Sequence, residues 1–392
     1  MQSPAKKGLQ IQMPDDAIAL GVRHAALNVQ IGDYLTAEPT TKGELLGGTS
    51  LRLDLDALAG LKATTEKLHR AGMKVYAILL ARATGNPAID RHILHPKYES
   101  AAPNRLAAFR TTDESGQRLL RAFCRELSVR TPIRGWIVGN EVNSHHDWYN
   151  MGPADSADVI ESVERSLRTV HEGVAERGGM VYLSLDHFWA LRHRPDRPDQ
   201  SLPGREVLEG VAALARRRGD FGWHVAHHPY PENLFEPRFW LDRTPTLSFD
   251  TPRITFKNLE VLTEYLKQPH LLHRGRARRT ILSEQGFHRP DGPEGERLQA
   301  AAYAYAWKRV ARNDGIDAFI LHRHVDHSHE GGLKLGLWTN KPGSIADPDR
   351  KTQMWDVMKA AGTPGEEEAF RFALPIVGLE NWNQAAPQRV PK

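Results

Sequence analysis

Two segments hold residues whose type and position could do proton-transfer chemistry: Arg134-Gly135-Trp136-Ile137-Val138-Gly139-Asn140-Glu141 and Thr280-Ile281-Leu282-Ser283-Glu284-Gln285-Gly286-Phe287. Each reads as a buried β-strand that delivers a glutamate at its carboxyl end. A glutamate ending one strand is ordinarily a solvated surface group. Two of them on separate rigid strands can be held at a set spacing, one as a proton donor and one as a nucleophile or base. Asn140 has Gly139 before it and Val142 just beyond Glu141, which leaves few local partners to explain a buried amide.

Holding such a pair needs a strand-rich frame, and the sequence supplies one. Apolar runs recur at Gly8 to Gln12, Val22 to Val29, Lys74 to Ala81, Gly135 to Glu141, Met180 to Asp186, Trp223 to His228, Thr280 to Glu284 and Ala318 to Leu321. Helical patterns lie between them. The clearest places Val159, Val163, Leu167, Val170 and Val174 on one face, with Asp155 or Ser156 as cap and Gly178-Gly179 as stop. Others run from Asp56 to Arg70, Asp113 to Val129, Gly204 to Arg218, Phe256 to Leu266, Glu294 to Arg312 and Thr352 to Ala360, while Asp15 to Leu20 holds only a short helix.

The connections are lopsided. Long irregular loops follow the strands (Gln30 to Leu53, Arg82 to Thr111, Phe188 to Leu202, Pro229 to Thr255, His322 to Arg350), whereas most returns from helix to strand are short. That asymmetry fits an α/β fold of the (β/α)8 TIM-barrel type, in which loops after the strands build the functional face. A doubly wound open sheet is the structural alternative, but no glycine-rich phosphate loop follows the first strand. The expectation is a single barrel domain over residues 1–392, with 363–392 as a C-terminal extension packing on it.

Composition bounds the rest. A chain of 392 residues, 40% hydrophobic and 26% charged, is ordinary globular material. The net charge of +4 is mild, and the clusters Arg216-Arg217-Arg218 and Arg274 to Arg279 read as helix-end or solvated cations rather than a nucleic-acid footprint. The lone Cys124 falls in an amphipathic helix and reads as an inert core residue. No apolar run of about 18 residues appears, so no membrane partner is expected. Either the protein is cytoplasmic or, if a leader has been removed, periplasmic or extracellular. Oligomeric state is not legible.

Counting strands puts Glu141 at the end of the fourth and Glu284 at the end of the seventh. Here the sequence resembles clan A of the retaining glycoside hydrolases, in which an Asn-Glu pair closes strand four and a second glutamate closes strand seven. The resemblance follows strand order and loop asymmetry along nearly the whole chain, and is most specific at Asn140-Glu141, Ser283-Glu284 and His227-His228-Pro229-Tyr230. The stretch from Lys7-Gly8 to Leu20-Gly21-Val22-Arg23-His24 also looks like an uncharacterised bacterial glycosidase-like branch. The resemblance implies a poly- or oligosaccharide substrate, no cofactor, and double displacement with Glu141 as acid/base and Glu284 as nucleophile. Glu141 would begin protonated, raised by burial and by the nearby charge of Glu284. The same resemblance implies that Tyr230 donates to Glu284 and that Asn140 binds the hydroxyl next to the anomeric carbon.

The 19 histidines support the main competitor, a metal-dependent barrel hydrolase. Many fall at strand ends: His145, His146, His187, His227, His228, His288, His322, His324, His327 and His329. Barrel metallohydrolases commonly place an HxH pair on strand one, whereas His322-Arg323-His324 lies on strand eight and strand one carries Leu9-Gln10-Ile11-Gln12. No metal is therefore expected. His187, His228 and His324 read instead as hydrogen-bond donors to sugar hydroxyls, and Arg82, Arg289 and Arg323 with them hint at an anionic glycan. Trp148, Tyr149, Trp189, Phe287 and Trp338 follow strands and could stack on sugar faces, core packing being the plain alternative; Trp136 reads as structural. A non-catalytic glycan-binding barrel is the third reading, and it predicts the loss of a carboxylate that this sequence keeps.

Overall fold

The computed structural model describes residues 6–38, 45–101 and 103–391; residues 39–44 of the Gln30–Leu53 connection and residue 102 of the Arg82–Thr111 connection lie outside the described residues. Eight strands match the eight apolar runs: β1 (Lys7–Gln10), β2 (His24–Gln30), β3 (Lys74–Arg82), β4 (Ile133–Val138), β5 (Met180–Leu185), β6 (Trp223–His227), β7 (Thr280–Leu282) and β8 (Ile316–Leu321). Their order in the sheet is β2-β1-β8-β7-β6-β5-β4-β3, and β2 pairs with β3 as well, so the sheet closes into a parallel (β/α)8 barrel. Among its helices are α1 (Pro14–Ala19), α2 (Leu55–Arg70), α3 (Glu114–Arg130), α4 (Ser156–Val174), α5 (Gly204–Arg217), α6 (Leu259–Tyr265), α7 (Gly295–Ala311) and α8 (Gln353–Ala360).

Several boundaries differ from the sequence reading by a few residues, among them the seventh strand, which stops at Leu282 short of Glu284. The fourth strand stops at Val138 instead of reaching Glu141, because Gly139 (φ +74°) and Glu141 (φ +39°) both take left-handed backbone that ends the ladder. Helix α6 begins at Leu259 rather than Phe256. There the Asn258 side chain accepts from the Thr255 N–H and donates to the carbonyls of Thr246 and Arg253, which holds the chain in a turn.

By its backbone contacts the chain divides into two compact units, Met1–Ala26 with His227–Leu266 and Arg279–Lys392, and Leu27–Ala226 with Lys267–Arg278. In the second unit α2, α3 and α4 start at side-chain caps, where Asp54, Asp113 and Asp155 accept from first-turn N–H groups. Gly135 of β4 lies under the Tyr76 ring of β3, where an added Cβ would come within 2.0 Å of it. Cys124 is fully buried in α3, and burial pushes its thiol well above the usual range, consistent with an inert core residue. Arg216, Arg217, Arg274 and Arg276 are exposed, while other members of the two clusters are paired. Arg218 binds Glu161 and Glu164, and Arg278, read as a surface cation, is instead buried between Asp220 at 2.8 Å and the Trp223 ring at 3.8 Å.

In the first unit, buried Lys6 donates to the carbonyls of Val310 (2.9 Å) and Asn313 (2.8 Å), closing the carboxyl end of α7. The segment beyond residue 363 packs on α7: Trp307 Nε1 and Lys308 Nζ both reach Glu366, and Trp382 lies against Tyr305 and Phe370. Among the described residues no helix is long and apolar enough to cross a membrane.

Candidate active site

Parallel pairing decides which strand-end residues become neighbours. In the second unit β4 and β5 align Val138 with Leu183, and Glu141 and Asp186 follow beyond the ends of the two strands. The Glu141 N–H donates to Ser184 Oγ at 3.0 Å, and its left-handed backbone (φ +39°, ψ +53°) turns the chain into the short helices that follow. Gly139 makes the turn possible: a Cβ there would lie 2.9 Å from the Tyr149 ring. Asn140 is buried and Glu141 partly accessible.

Asp186 is the carboxylate that sequence reasoning missed. It is buried, accepting from Asn143 Nδ2 (2.5 Å), the Ser144 hydroxyl and the Phe188 N–H (2.8 Å), while its own N–H donates to Asn143 Oδ1. Burial and then the negative charge of Glu141 push it up to about 7. Nearby, burial would raise Asp147, but hydrogen bonds from His193 and Arg194 outweigh it and hold it at about 2. His193 is raised in return, first by its bond to Asp147.

In the first unit β7, β8 and β1 are adjacent, pairing Leu282 with Phe319 and Leu321 with Leu9. Their ends therefore bring Glu284, His322 and Gln10 side by side. Glu284 Oε2 accepts from Gln10 Nε2 at 3.1 Å, and Glu284 Oε1 accepts from the Tyr230 hydroxyl at 3.4 Å. Burial alone would raise Glu284. The charges of His322 and His228 and the Gln10 bond outweigh it and hold the carboxyl below its ordinary value. His228, buried, shares a 2.9 Å hydrogen bond with Ser283 Oγ.

The other predicted residues are placed unevenly. His187 is buried and stacks on Phe188 at 4.4 Å, and Trp189 is 1% exposed. Arg82 is exposed at the end of β3, 3.5 Å from Gln30 Oε1. His324 donates from Nε2 to Asp16 while its Nδ1 accepts from the N–H groups of Gln12 and Met13, so both ring nitrogens tie β8 to α1. Trp338 Nε1 donates to the same Asp16 carboxylate, as does Trp355. Arg289 pairs with Asp326 and Arg323 with Glu330. Tyr149 and Phe287 are core residues, with Tyr149 bonded to Ser166 at 2.9 Å, whereas Trp148 keeps partial exposure. Buried Trp136 agrees with its structural reading. Among the described residues no group of three or more His, Cys, Asp and Glu side chains is arranged to hold a metal ion.

Residues 1–385 match the model of a family of unknown function, DUF5722. The chain belongs to that family. Comparison with curated proteins gives no match. Solved structures similar in fold are glycoside hydrolases. The hyperthermophilic β-glucosidase of Pyrococcus furiosus aligns with a TM-score of 0.58 and 13% identity, over 93% of this chain and 86% of that one. A family 39 glycoside hydrolase of Bacteroides cellulosilyticus WH2 gives 0.54 and 12% over 93% of this DUF5722 chain and 64% of its own, so the chain spans less than two thirds of that protein. GH5_18 of Streptomyces cattleya, in complex with GlcNAc, gives 0.51 and 17% over 96% and 75%. At such identities the likeness is one of fold.

Proposed function

We propose that this protein hydrolyses glycosidic bonds in a poly- or oligosaccharide by retaining double displacement. The observation that carries the reading is Glu284 just beyond β7, held below its ordinary carboxyl value by His322, His228 and Gln10, with a second glutamate, Glu141, just beyond β4. An ionised carboxylate can attack the anomeric carbon. A carboxylic acid opposite it protonates the departing oxygen and then, as base, takes a proton from the water that releases the sugar. Glu284 takes the first role and Glu141 the second. Such chemistry requires the two carboxyl groups about 5–5.5 Å apart.

Around them, Tyr230 steadies Glu284 and buried Asn140 serves the hydroxyl beside the anomeric carbon, with Trp148 as the accessible ring for stacking. The cations considered for an anionic glycan are unequal: Arg289 and Arg323 are neutralised by Asp326 and Glu330, and Arg82 is exposed. The test is a panel of neutral, uronate-containing and sulfated polysaccharides, read by new reducing ends, with wild type beside Glu284→Gln. Release by wild type and none by the variant is expected; equal release by both overturns the reading.

A further inference from the structure

Behind Glu284 runs a line of partly buried polar groups that the double-displacement scheme does not use. We propose that Gln10, His322 and Glu330 form a positioning relay that keeps Glu284 ionised and aimed, with a hydrogen on both ring nitrogens of His322. The proposal deepens the reading above and rests on Glu284 being the nucleophile.

Hydrogen-bond accounting fixes each member. Ionised Glu284 only accepts, so the Gln10 amide must turn its Nε2 toward it, at 3.1 Å. The Gln10 carbonyl then faces His322 Nδ1 at 2.6 Å and can only accept, which places a hydrogen on Nδ1. On the far side His322 Nε2 lies 3.1 Å from Glu330 Oε1, and the other oxygen of Glu330 receives Arg323. Burial would raise Glu330, but His322 and Arg323 together hold it at about 2, so it too accepts and Nε2 carries a hydrogen. His322 is thus a cation, and the two anions Glu284 and Glu330 are balanced by His322 and Arg323.

The fold makes the relay. The pairing of β1 with β8 and of β8 with β7 sets Gln10, His322 and Glu284 on three neighbouring strand ends. The remaining titratable groups around these residues are His228 and Tyr230 on the β6 side and His327 beyond Arg323. Gln10 holds the nucleophile through a neutral amide, which passes the orientation of a cation to Glu284 while keeping a full positive charge one residue away. A direct ion pair would blunt the attacking oxygen more strongly.

The test needs no substrate. Protein labelled with 13C at glutamate carboxyl carbons is titrated by NMR, the Glu284 signal being assigned by its loss in Glu284→Gln. Ring-15N histidine spectra, assigned with His322→Gln, report which nitrogens carry hydrogen. Wild type should show His322 protonated on both nitrogens at neutral pH. Gln10→Ala and His322→Gln should each raise the Glu284 midpoint by about one pH unit or more, since each removes a group that holds it down, with unchanged far-ultraviolet circular dichroism. A neutral His322 ring, or a Glu284 midpoint unmoved in folded His322→Gln, overturns the relay. If the midpoint moves while Glu284→Gln still hydrolyses glycan, the relay stands and the nucleophile assignment falls. If the midpoint stays and Glu284→Gln is inactive, the reverse holds.

Discussion

Glu141 and Asp186 lie just beyond the ends of two paired strands, whose ladder closes on Val138 and Leu183, near enough for the charge of Glu141 to act on Asp186. Asp186 fastens Asn143 and Ser144, the turn that directly follows Glu141, and burial together with the Glu141 charge lifts Asp186 to about 7. One buried carboxylate therefore both braces the backbone of its neighbour and registers that neighbour's charge.

The sign of the resulting pH effect follows. Asp186 has a folded value of about 7 against an ordinary 3.8, so between those values the native state binds a proton that the unfolded chain has released. Stability should fall as pH rises from about 4 to about 7 and then level off. In Asp186→Asn that slope should flatten. Melting temperatures at pH 5, 6, 7 and 8 check it, and identical slopes in both proteins would refute the assignment.

Glu141→Gln and Glu284→Gln should each lower turnover by about 10³-fold or more while leaving the melting temperature within a few degrees. Full activity in either variant, measured on whichever glycan the panel identifies, would remove that residue from the mechanism.

Azide should rescue Glu284→Gly, because a small anion can fill the space of the missing carboxylate and attack from the same face. The product would carry inverted anomeric configuration, seen by proton NMR. Rescue of Glu141→Gly with inversion, and none of Glu284→Gly, would exchange the two roles.

Arg278→Met should destabilise the fold by about 3 kcal/mol, since it strands Asp220 without its buried guanidinium partner and unstacks Trp223. Urea unfolding followed by tryptophan fluorescence measures this. A change below about 1 kcal/mol would place the pair among weak surface contacts.

Gly139→Ala should cost about 1–2 kcal/mol and lower activity as well, because the residue sits at φ +74° with the Tyr149 ring 2.9 Å from an added Cβ. Lost stability with activity unchanged would show that the Glu141 turn tolerates the shift.

Much of the frame could be read from local pattern. The runs ending near Glu141 and Glu284 are short and apolar, the α4 stripe of Val159, Val163, Leu167, Val170 and Val174 has helical period, and Asp155 caps it as expected. All eight strands and the counted ranks of the two glutamates agree with the closed barrel. The Tyr230 hydroxyl lies 3.4 Å from Glu284 Oε1. His324 and Trp338 lie instead around Asp16, and Trp189 is buried, because burial and partner choice depend on loops that no periodicity describes.

Chemistry borne within one segment is written in the order of residues: a glutamate placed just past an apolar run stays there whatever its neighbours. What surrounds each glutamate belongs to the assembled sheet. Gln10 stands in the sequence only as part of a strand-one run without an HxH pair, and Asp186 as the end of another run. Their roles arise from parallel register, which sets residues 312 positions apart, Gln10 and His322, within 2.6 Å of each other. Only closure of the barrel brings the first and last strands into pairing, and with it the charges that keep Glu284 an anion.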